Sequence, residues 1–321
     1  MEIQTKDSTQ NNVGAGPVPA RLTVMDVSII IVNYNTTDLL LQCVDSIVTH
    51  TQGVSYEIIV VDNGSREESL TPLRHDRRIR LVESNGNLGF GRANNLGAAS
   101  AHGECLFLLN PDTILVNDAV TILYQHLLST SRTGLCGGNI FDKDMLPIHA
   151  HDQIFPSILS ELDIVFGHLY YKLRYGRNSW FNHTKAPMKV AMITGADMMI
   201  RREVWDKVSG FDPSFFMYYE DSDLCFRIKE QGYDIVNVPE AKIIHLEGKS
   251  FHVSRERDLR YFSGRKRYFY KHYSATYNWI ADSINITTLG VATMLCRLMG
   301  KKEAWMKYRQ RLEVYRELAK K

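Results

Sequence analysis

The run Val27-Ser-Ile-Ile-Ile-Val32 limits this chain more than any other feature. A strand with one wet face alternates apolar and polar residues. A nearly unbroken β-branched run belongs to a strand covered on both faces, inside a sheet with helices above and below. The following residues repeat that logic. Asn33-Tyr-Asn-Thr-Thr-Asp38 supplies turn and N-cap chemistry, and Leu39 to Val48 has helical apolar spacing. A second strand is expected over Tyr56–Val61, running into Asp62-Asn-Gly-Ser65, and a short third over Arg80–Glu83. A Gly/Asn-rich loop, Asn85 to Gly97, enters a helix, and Cys105–Leu109 is the fourth strand. The alternation predicts an α/β, Rossmann-like fold with a mostly parallel sheet flanked by crossover helices. Ligands of such sheets bind beyond the carboxyl ends of the strands, where Asn33, Asp62, Asn110 and Asp112 all fall.

Between Phe141 and Lys189 the pattern weakens into an aromatic-rich segment with several histidines. It resumes at Val190–Gly195, with a strand expected over Ala196–Ile200 and a helix over Arg202–Val208. An acidic helix from Glu220 to Gln231 is closed by Gly232, and Tyr233–Val238 and Ala241–Leu246 read as two strands. From Leu259 the chain is helical and basic. The 321 residues suit one large or two modest domains, and a net charge of +2 gives no whole-chain signal for nucleic acid. Residues 1–25 are polar without an apolar segment of the secretory kind, so a disordered leader is expected rather than a signal peptide. The five cysteines are scattered without a CxxC pair, as buried free thiols in a reducing cytosol would be. No stretch has 18 clean apolar residues; Ile280 to Met299 comes nearest.

The chemistry concentrates at Met217-Tyr-Tyr-Glu-Asp-Ser-Asp223. Carboxylates repel one another and are costly to desolvate, so the cluster needs a cation, a polyhydroxylated acceptor or a proton in transit. The helix dipole accounts for one acid at a helix start, not for three. Asp223 can pair with Arg227 four residues on, which divides it between structure and acceptor binding; Asp221 is the candidate general base. Asp62 either opens a tight turn or accepts the imide N–H of a pyrimidine. The loop carrying Asn87 and Arg92 is either a structural turn or a contact to ribose or diphosphate. Asn110-Pro-Asp112 either caps a turn or binds Mg²⁺ or Mn²⁺ through oxygen, with His245 sharing the ion.

Taken together these segments resemble glycosyltransferase family 2, the inverting nucleotide-sugar transferases of the GT-A fold. The resemblance rests on Ser28-Ile-Ile-Ile-Val-Asn-Tyr-Asn35, Glu57 to Ser65, Asn87 to Asn95 and Leu108 to Thr113, then on Thr194-Gly-Ala-Asp197, Gly210 to Phe216, Tyr219 to Arg227 and His245. It spans Val27 to Phe251 and is greatest to rhamnosyltransferase-type members that build bacterial surface polysaccharides. It implies a GT-A catalytic domain over residues 26–252, with a nucleotide-sugar half (about 26–140) and an acceptor half (about 141–252). Asn33, Asp62, Asn87, Arg92 and Asn110 would serve the nucleotide, Asp221 would be the base, and Asp197, Glu220 and Asp223 would face sugar or acceptor. Asp112 and His245 would hold the metal. The first position of the family's Asp-x-Asp motif is Asn110 here, which is uncharged. The implied reaction moves a sugar from a nucleoside-diphosphate sugar, dTDP-rhamnose before UDP-hexose, to a saccharide or lipid-linked acceptor.

Residues 253–321 form the helical, basic extension. Its basic-aromatic mixture, Arg260 to Lys271, suits a membrane surface or an acceptor diphosphate lipid better than nucleic acid. Trp279–Met299, followed by Lys301 and Lys302, is either an interfacial helix or a packed helix of a homo-oligomer or domain edge. The expected location is the cytoplasm, peripheral on the inner face of the cytoplasmic membrane. Two other functions compete: a nucleotidyltransferase, for which a basic Gly-rich loop after the first strand is missing, and a silent sugar-nucleotide-binding scaffold, which Asn110 makes conceivable.

Overall fold

The structure, a computed structural model, describes residues 25–246 and 255–319. The leader expected over residues 1–25 lies outside the described residues except for its last position. β1 (Met25–Asn33), β2 (Tyr56–Asp62), β3 (Arg80–Glu83) and β4 (Gly103–Leu109) form the parallel half of the sheet, in the order β3-β2-β1-β4. α1 (Thr37–His50), α2 (Glu67–His75) and α3 (Phe90–Ala99) make the crossovers. The side chains of β1 divide between two cores. Ile29 and Ile31 pack with Leu40, Val44 and Ile47 of α1, while Ile30 packs with Ala93 and Ala98 of α3. Each of these isoleucines is fully buried, worth about 1.5–3 kcal/mol apiece. α3 lies close to the sheet because Gly97 faces Ile30, where an added Cβ would come within 2.5 Å of the Ile30 side chain.

Beyond β4 the sheet is mixed. β5 (Thr113–Leu115), α4 (Ala119–Ser129) and β6 (Thr133–Phe141) come next in the chain, and β7 (His151–Asp152) follows. α5 (Ile158–Val165) and α6 (Leu169–Tyr175) occupy the segment where the sequence pattern weakens. β8 (Met188–Val190), β9 (Met192–Ile193), β10 (Asp197–Arg201), α7 (Arg202–Lys207), α8 (Glu220–Glu230) and β11 (Asp234–His245) complete the domain. The order continues β4-β10-β6-β11-β5, with β10 antiparallel to both neighbours. The two strands expected over Tyr233–Leu246 are one. β11 runs through, with an irregularity in its pairing to β6 between Asn237 and Lys242, where Pro239 has no N–H to give the ladder.

The C-terminal region folds onto α5 and α8. α9 (Arg255–His272) buries Tyr268 and Phe269 with Phe215, and α10 (Ala275–Leu298) and α11 (Lys302–Ala319) build a small core of Leu289, Leu312, Val314 and Tyr315 around Phe262. Arg265 is buried among Glu161, Asp282 and the Tyr315 hydroxyl, which tie α9 to α5, α10 and α11.

Candidate active site

The parallel register aligns Asn33 with Asp62 at the carboxyl ends of β1 and β2. Asn33 Nδ2 donates to Asp62 Oδ1 (3.0 Å), and the N–H groups of Gly64 and Ser65 donate to Asp62 Oδ2 (3.1 and 3.0 Å). Asp62 therefore closes the Asp-Asn-Gly-Ser turn, the local use that its sequence also allows. Asn33 is fully buried, and its side-chain carbonyl accepts from the Thr36 N–H (3.3 Å). It is a strut under Asp62, a buried amide whose hydrogen-bonding groups find their partners inside the fold. Asn87 is exposed, and its side-chain carbonyl accepts from Asn63 Nδ2 (3.2 Å) and the Gly89 N–H (3.0 Å). Gly89, at φ +84°, lets the loop pass so near Phe216 that an added Cβ would strike its carbonyl, and Phe90 N–H donates to that same carbonyl (3.0 Å). Arg92 stands exposed in the first turn of α3, with Nε donating to the Pro213 carbonyl (2.5 Å).

One residue past β4, the chain turns through Asn110-Pro-Asp112 into β5, and β5 pairs with the end of β11 so that Thr113 faces His245. That pairing puts His245 Nε2 3.1 Å from Asp112 Oδ1 and 3.5 Å from Asn110 Nδ2. All three side chains are half-buried. Among the described residues no group of three or more His, Cys, Asp or Glu side chains converges. A carboxylate oxygen and an imidazole nitrogen on one spot are nevertheless a donor set that fits Mg²⁺ or Mn²⁺, cations that keep waters and take phosphate oxygens for their remaining positions.

Across the edge lies the acidic helix. Tyr218 and Tyr219 enter it in the left-handed region (φ 72° and 69°), strain of the kind that clusters at functional sites. Glu220 is buried with Oε2 lacking a partner, and burial, followed by the neighbouring Asp221 charge, pushes its carboxyl up to about 8. Asp221 is half-buried. Its Oδ2 accepts from the Gly195 N–H (3.3 Å) and its Oδ1 from the Ser222 N–H (2.7 Å). Burial raises it above the ordinary carboxylate range despite those donors, and Asp152 adds to the rise. Gly195 also joins the two sides of the site, because its successor Ala196 accepts from the Asn110 N–H (3.0 Å).

Two carboxylates expected at the acceptor are engaged inside the fold. Asp223 is fully buried and is held by Arg227 (2.8 Å), Lys271 (2.7 Å) and His272 (2.8 Å), so its charge is consumed in joining α8 to α9. Burial alone would raise its carboxyl, but the hydrogen bond from His272, with the charge of Arg227 and the bonds from Lys271 and Arg227, holds it below its usual value. Asp197 is fully buried inside β10, where Oδ2 accepts from the Gly138 N–H (2.5 Å) and burial holds the carboxyl far above its usual range. A protonated carboxyl sealed between strands is a sheet component. The sequence reading missed His149 and Asp152, which lie 3.1 Å apart and whose charges reach Asp221. The only signal was the cluster His149-Ala-His-Asp152, which matches no ligand spacing.

Comparison with known proteins identifies the family and the fold. Residues 25–264 match the family described as glycosyltransferase-like family 2. A low-salt glycan biosynthesis hexosyltransferase (Agl10) of Haloferax volcanii is 25% identical over 288 residues, covering 87% of this chain and 86% of the relative. An N-acetylglucosaminyl-diphospho-decaprenol L-rhamnosyltransferase of Mycobacterium tuberculosis is 26% identical, covering 70% and 74%. The match to an uncharacterized protein (y4gI) of Sinorhizobium fredii, 28% identical, covers 70% of this chain and spans only 25% of that longer one. Among solved structures, a mannosyltransferase from Pyrobaculum calidifontis in complex with GDP-Man and Mn²⁺ superposes with a TM-score of 0.54 at 16% identity, covering 93% of this chain and 86% of that one. GalNAc-T7 with UDP, GalNAc and Mn²⁺ gives 0.57 at 18%, covering 78% and 48%. The likeness to these structures is one of fold, the GT-A fold, and by the match over residues 25–264 the chain belongs to the glycosyltransferase-like family 2.

Proposed function

We propose that this protein is an inverting, divalent-metal-dependent transferase. It moves a sugar from a nucleoside diphosphate, dTDP-rhamnose before UDP-hexose, to a hydroxyl of a lipid-linked or polysaccharide acceptor in cell-surface polysaccharide synthesis. The observation that carries this reading is the short backbone path from Asp221, through Gly195 and Ala196, to Asn110 beside the Asp112–His245 pair. A proton acceptor and a metal-binding pair therefore share one sheet edge. Asp221 takes the proton of the acceptor hydroxyl as that oxygen attacks the anomeric carbon, and one displacement inverts the centre. The neighbouring Glu220, protonated at neutral pH, limits the negative charge beside the base. Asp112 and His245 would hold Mg²⁺ or Mn²⁺, which when bound neutralises the charge growing on the leaving diphosphate. Asp62, Asn87, Arg92 and Asn110 remain the nucleotide-side candidates, and Glu220 the acceptor-side one.

The chain works in the cytoplasm, against the inner face of the membrane through its C-terminal helices. α10 supports this reading: it is long and apolar enough to cross a membrane, yet only 11% of its most apolar window is buried. The decisive experiment is a sugar-nucleotide screen by thermal shift, with Mn²⁺, Mg²⁺ or EDTA, followed by donor hydrolysis. One donor should stabilise the protein only with metal and be slowly hydrolysed. Metal-dependent binding without hydrolysis or transfer would favour the second reading, a silent sugar-nucleotide-binding scaffold, which the uncharged Asn110 supports.

A further inference from the structure

A cavity of about 420 Å³ opens in the segment that carries no readable motif, lined by His149, His168, Arg177, Trp180, Phe181 and His183 along with Pro147 and Ile148. None of these residues is acidic. Carboxylates stand behind two of the imidazoles, Asp152 at 3.1 Å from His149 and Asp163 at 3.4 Å from His168, and each fixes its ring in place. Arg177 is exposed at the rim and has no ion-pair partner among the described residues. Trp180 is fixed by stacking on Tyr171 (5.8 Å, 16°), with the His168 ring edge-on at 5.2 Å. Its carbonyl accepts from the Ala150 N–H (2.9 Å), and the Ala150 carbonyl accepts from the Thr194 N–H (3.3 Å). Thr194 precedes Gly195, whose N–H holds Asp221, so the wall of this cavity is built directly onto the support of the base.

The cavity also borders an uncovered apolar surface. His168 sits in the turn between α5 and α6, and the residues around it face solvent: Ile164, Val165, Phe166 (68% exposed), Leu169 and Leu173 (79% exposed). Apolar side chains collected this way on two adjoining helices mark a contact surface. A guanidinium and imidazoles without a lining carboxylate select an anion over a neutral saccharide. In the proposed reaction the donor's diphosphate would be met elsewhere, by the cation that Asp112 and His245 would hold.

We propose that this cavity receives the diphosphate of a lipid-linked acceptor, with the lipid chain lying along the α5–α6 turn and the sugar hydroxyl reaching Asp221. The proposal rests on the transferase reading and specifies its acceptor class. It is tested by calorimetric titration of the full-length protein with farnesyl diphosphate in EDTA, where no metal can recruit the probe to Asp112 and His245. Farnesyl diphosphate should bind at least tenfold more tightly than inorganic pyrophosphate or farnesol. Arg177→Glu should weaken it at least tenfold, and Arg177→Lys by less than threefold. Phe166→Ser with Leu173→Ser should weaken farnesyl diphosphate but leave pyrophosphate unaltered. Equal binding of pyrophosphate would reduce the site to one for free phosphate, equal binding of farnesol to an apolar patch, and either result overturns the proposal, as does indifference to Arg177→Glu. The underlying reading is scored separately on the wild-type protein: a sugar nucleotide that stabilises it with Mn²⁺ keeps the transferase alive whatever the titration shows.

Discussion

At the scale of single residues, Glu220 and Asp221 are adjacent carboxyls that make separate predictions. Asp221→Asn removes the proposed proton acceptor and keeps the shape, with one amide oxygen left to accept from Gly195 or Ser222. Transfer should fall about 10²–10⁴-fold, the usual share of general base catalysis, with nucleoside diphosphate binding kept. A normal rate in that variant would sink the assignment of the base. Glu220 makes a separate prediction about stability. Its folded-state value, about 8, lies above the ordinary 4.5, so the folded protein holds a proton that the unfolded chain has lost. Stability therefore falls as pH rises from about 4.5 to about 8. Glu220→Gln should flatten that fall and stabilise the protein at pH 9 by a few kcal/mol, because each tenfold difference in proton affinity between the folded and unfolded chain is worth about 1.4 kcal/mol. Urea midpoints at pH 5 and pH 9 read the effect. Sequence alone singles out Asp221 as the candidate base, because Asp223 has a helical partner in Arg227 and Asp221 has none. It could not see that Asn33 and Asp197 are sealed inside the fold, because burial of a polar residue at a strand end depends on which strand lies beside it.

At the scale of elements, α8 is held against α9 by one carboxylate meeting an arginine, a lysine and a histidine. Asp223→Ala would leave Arg227, Lys271 and His272 without their shared anion, and removing one partner of a buried pair costs about 3–5 kcal/mol. Chemical denaturation should show that loss at neutral pH. The wild-type contribution is present above about 3.8, where the unfolded carboxyl ionises, and is lost as pH falls through the lower folded value. The gap between wild type and variant should therefore narrow below pH 4. The clasp also explains what was legible here. Asp223 and Arg227 are four residues apart on one helix, a pairing readable from spacing, whereas Lys271 and His272 arrive from a distant helix. Similarly β1, β2 and β4 declare themselves through β-branched or leucine-rich runs. β6, Thr-Gly-Leu-Cys-Gly-Gly-Asn-Ile-Phe, lies between β10 and β11 yet has the composition of a loop. Its glycines suit the close approach of neighbouring chains, which no local propensity records.

At the scale of the molecule, the question is what covers the outer face of α10. Trp279 (70% exposed), Leu298 (76%) and Met299 (62%) lie uncovered, and Arg297, Lys301 and Lys302 cluster at the same end as the last two. An apolar face bordered by cations suits the interface of an anionic bilayer, where each basic residue near the surface adds about 1 kcal/mol. A second copy of the chain could cover the same face, and the two occupants differ in what they require. Membrane binding needs lipid and weakens with salt; self-association needs only protein concentration. The full-length protein should float with vesicles containing anionic lipid, more weakly with neutral vesicles, and should sediment as a monomer across micromolar concentrations without lipid. Trp279→Ser with Leu298→Ser and Met299→Ser should abolish flotation while leaving the far-ultraviolet circular dichroism unchanged, since these side chains contribute little to the core of α9, α10 and α11. A wild-type protein that ignores vesicles and dimerises, with the triple variant monomeric, would assign the face to a second copy and take the membrane out of the reading.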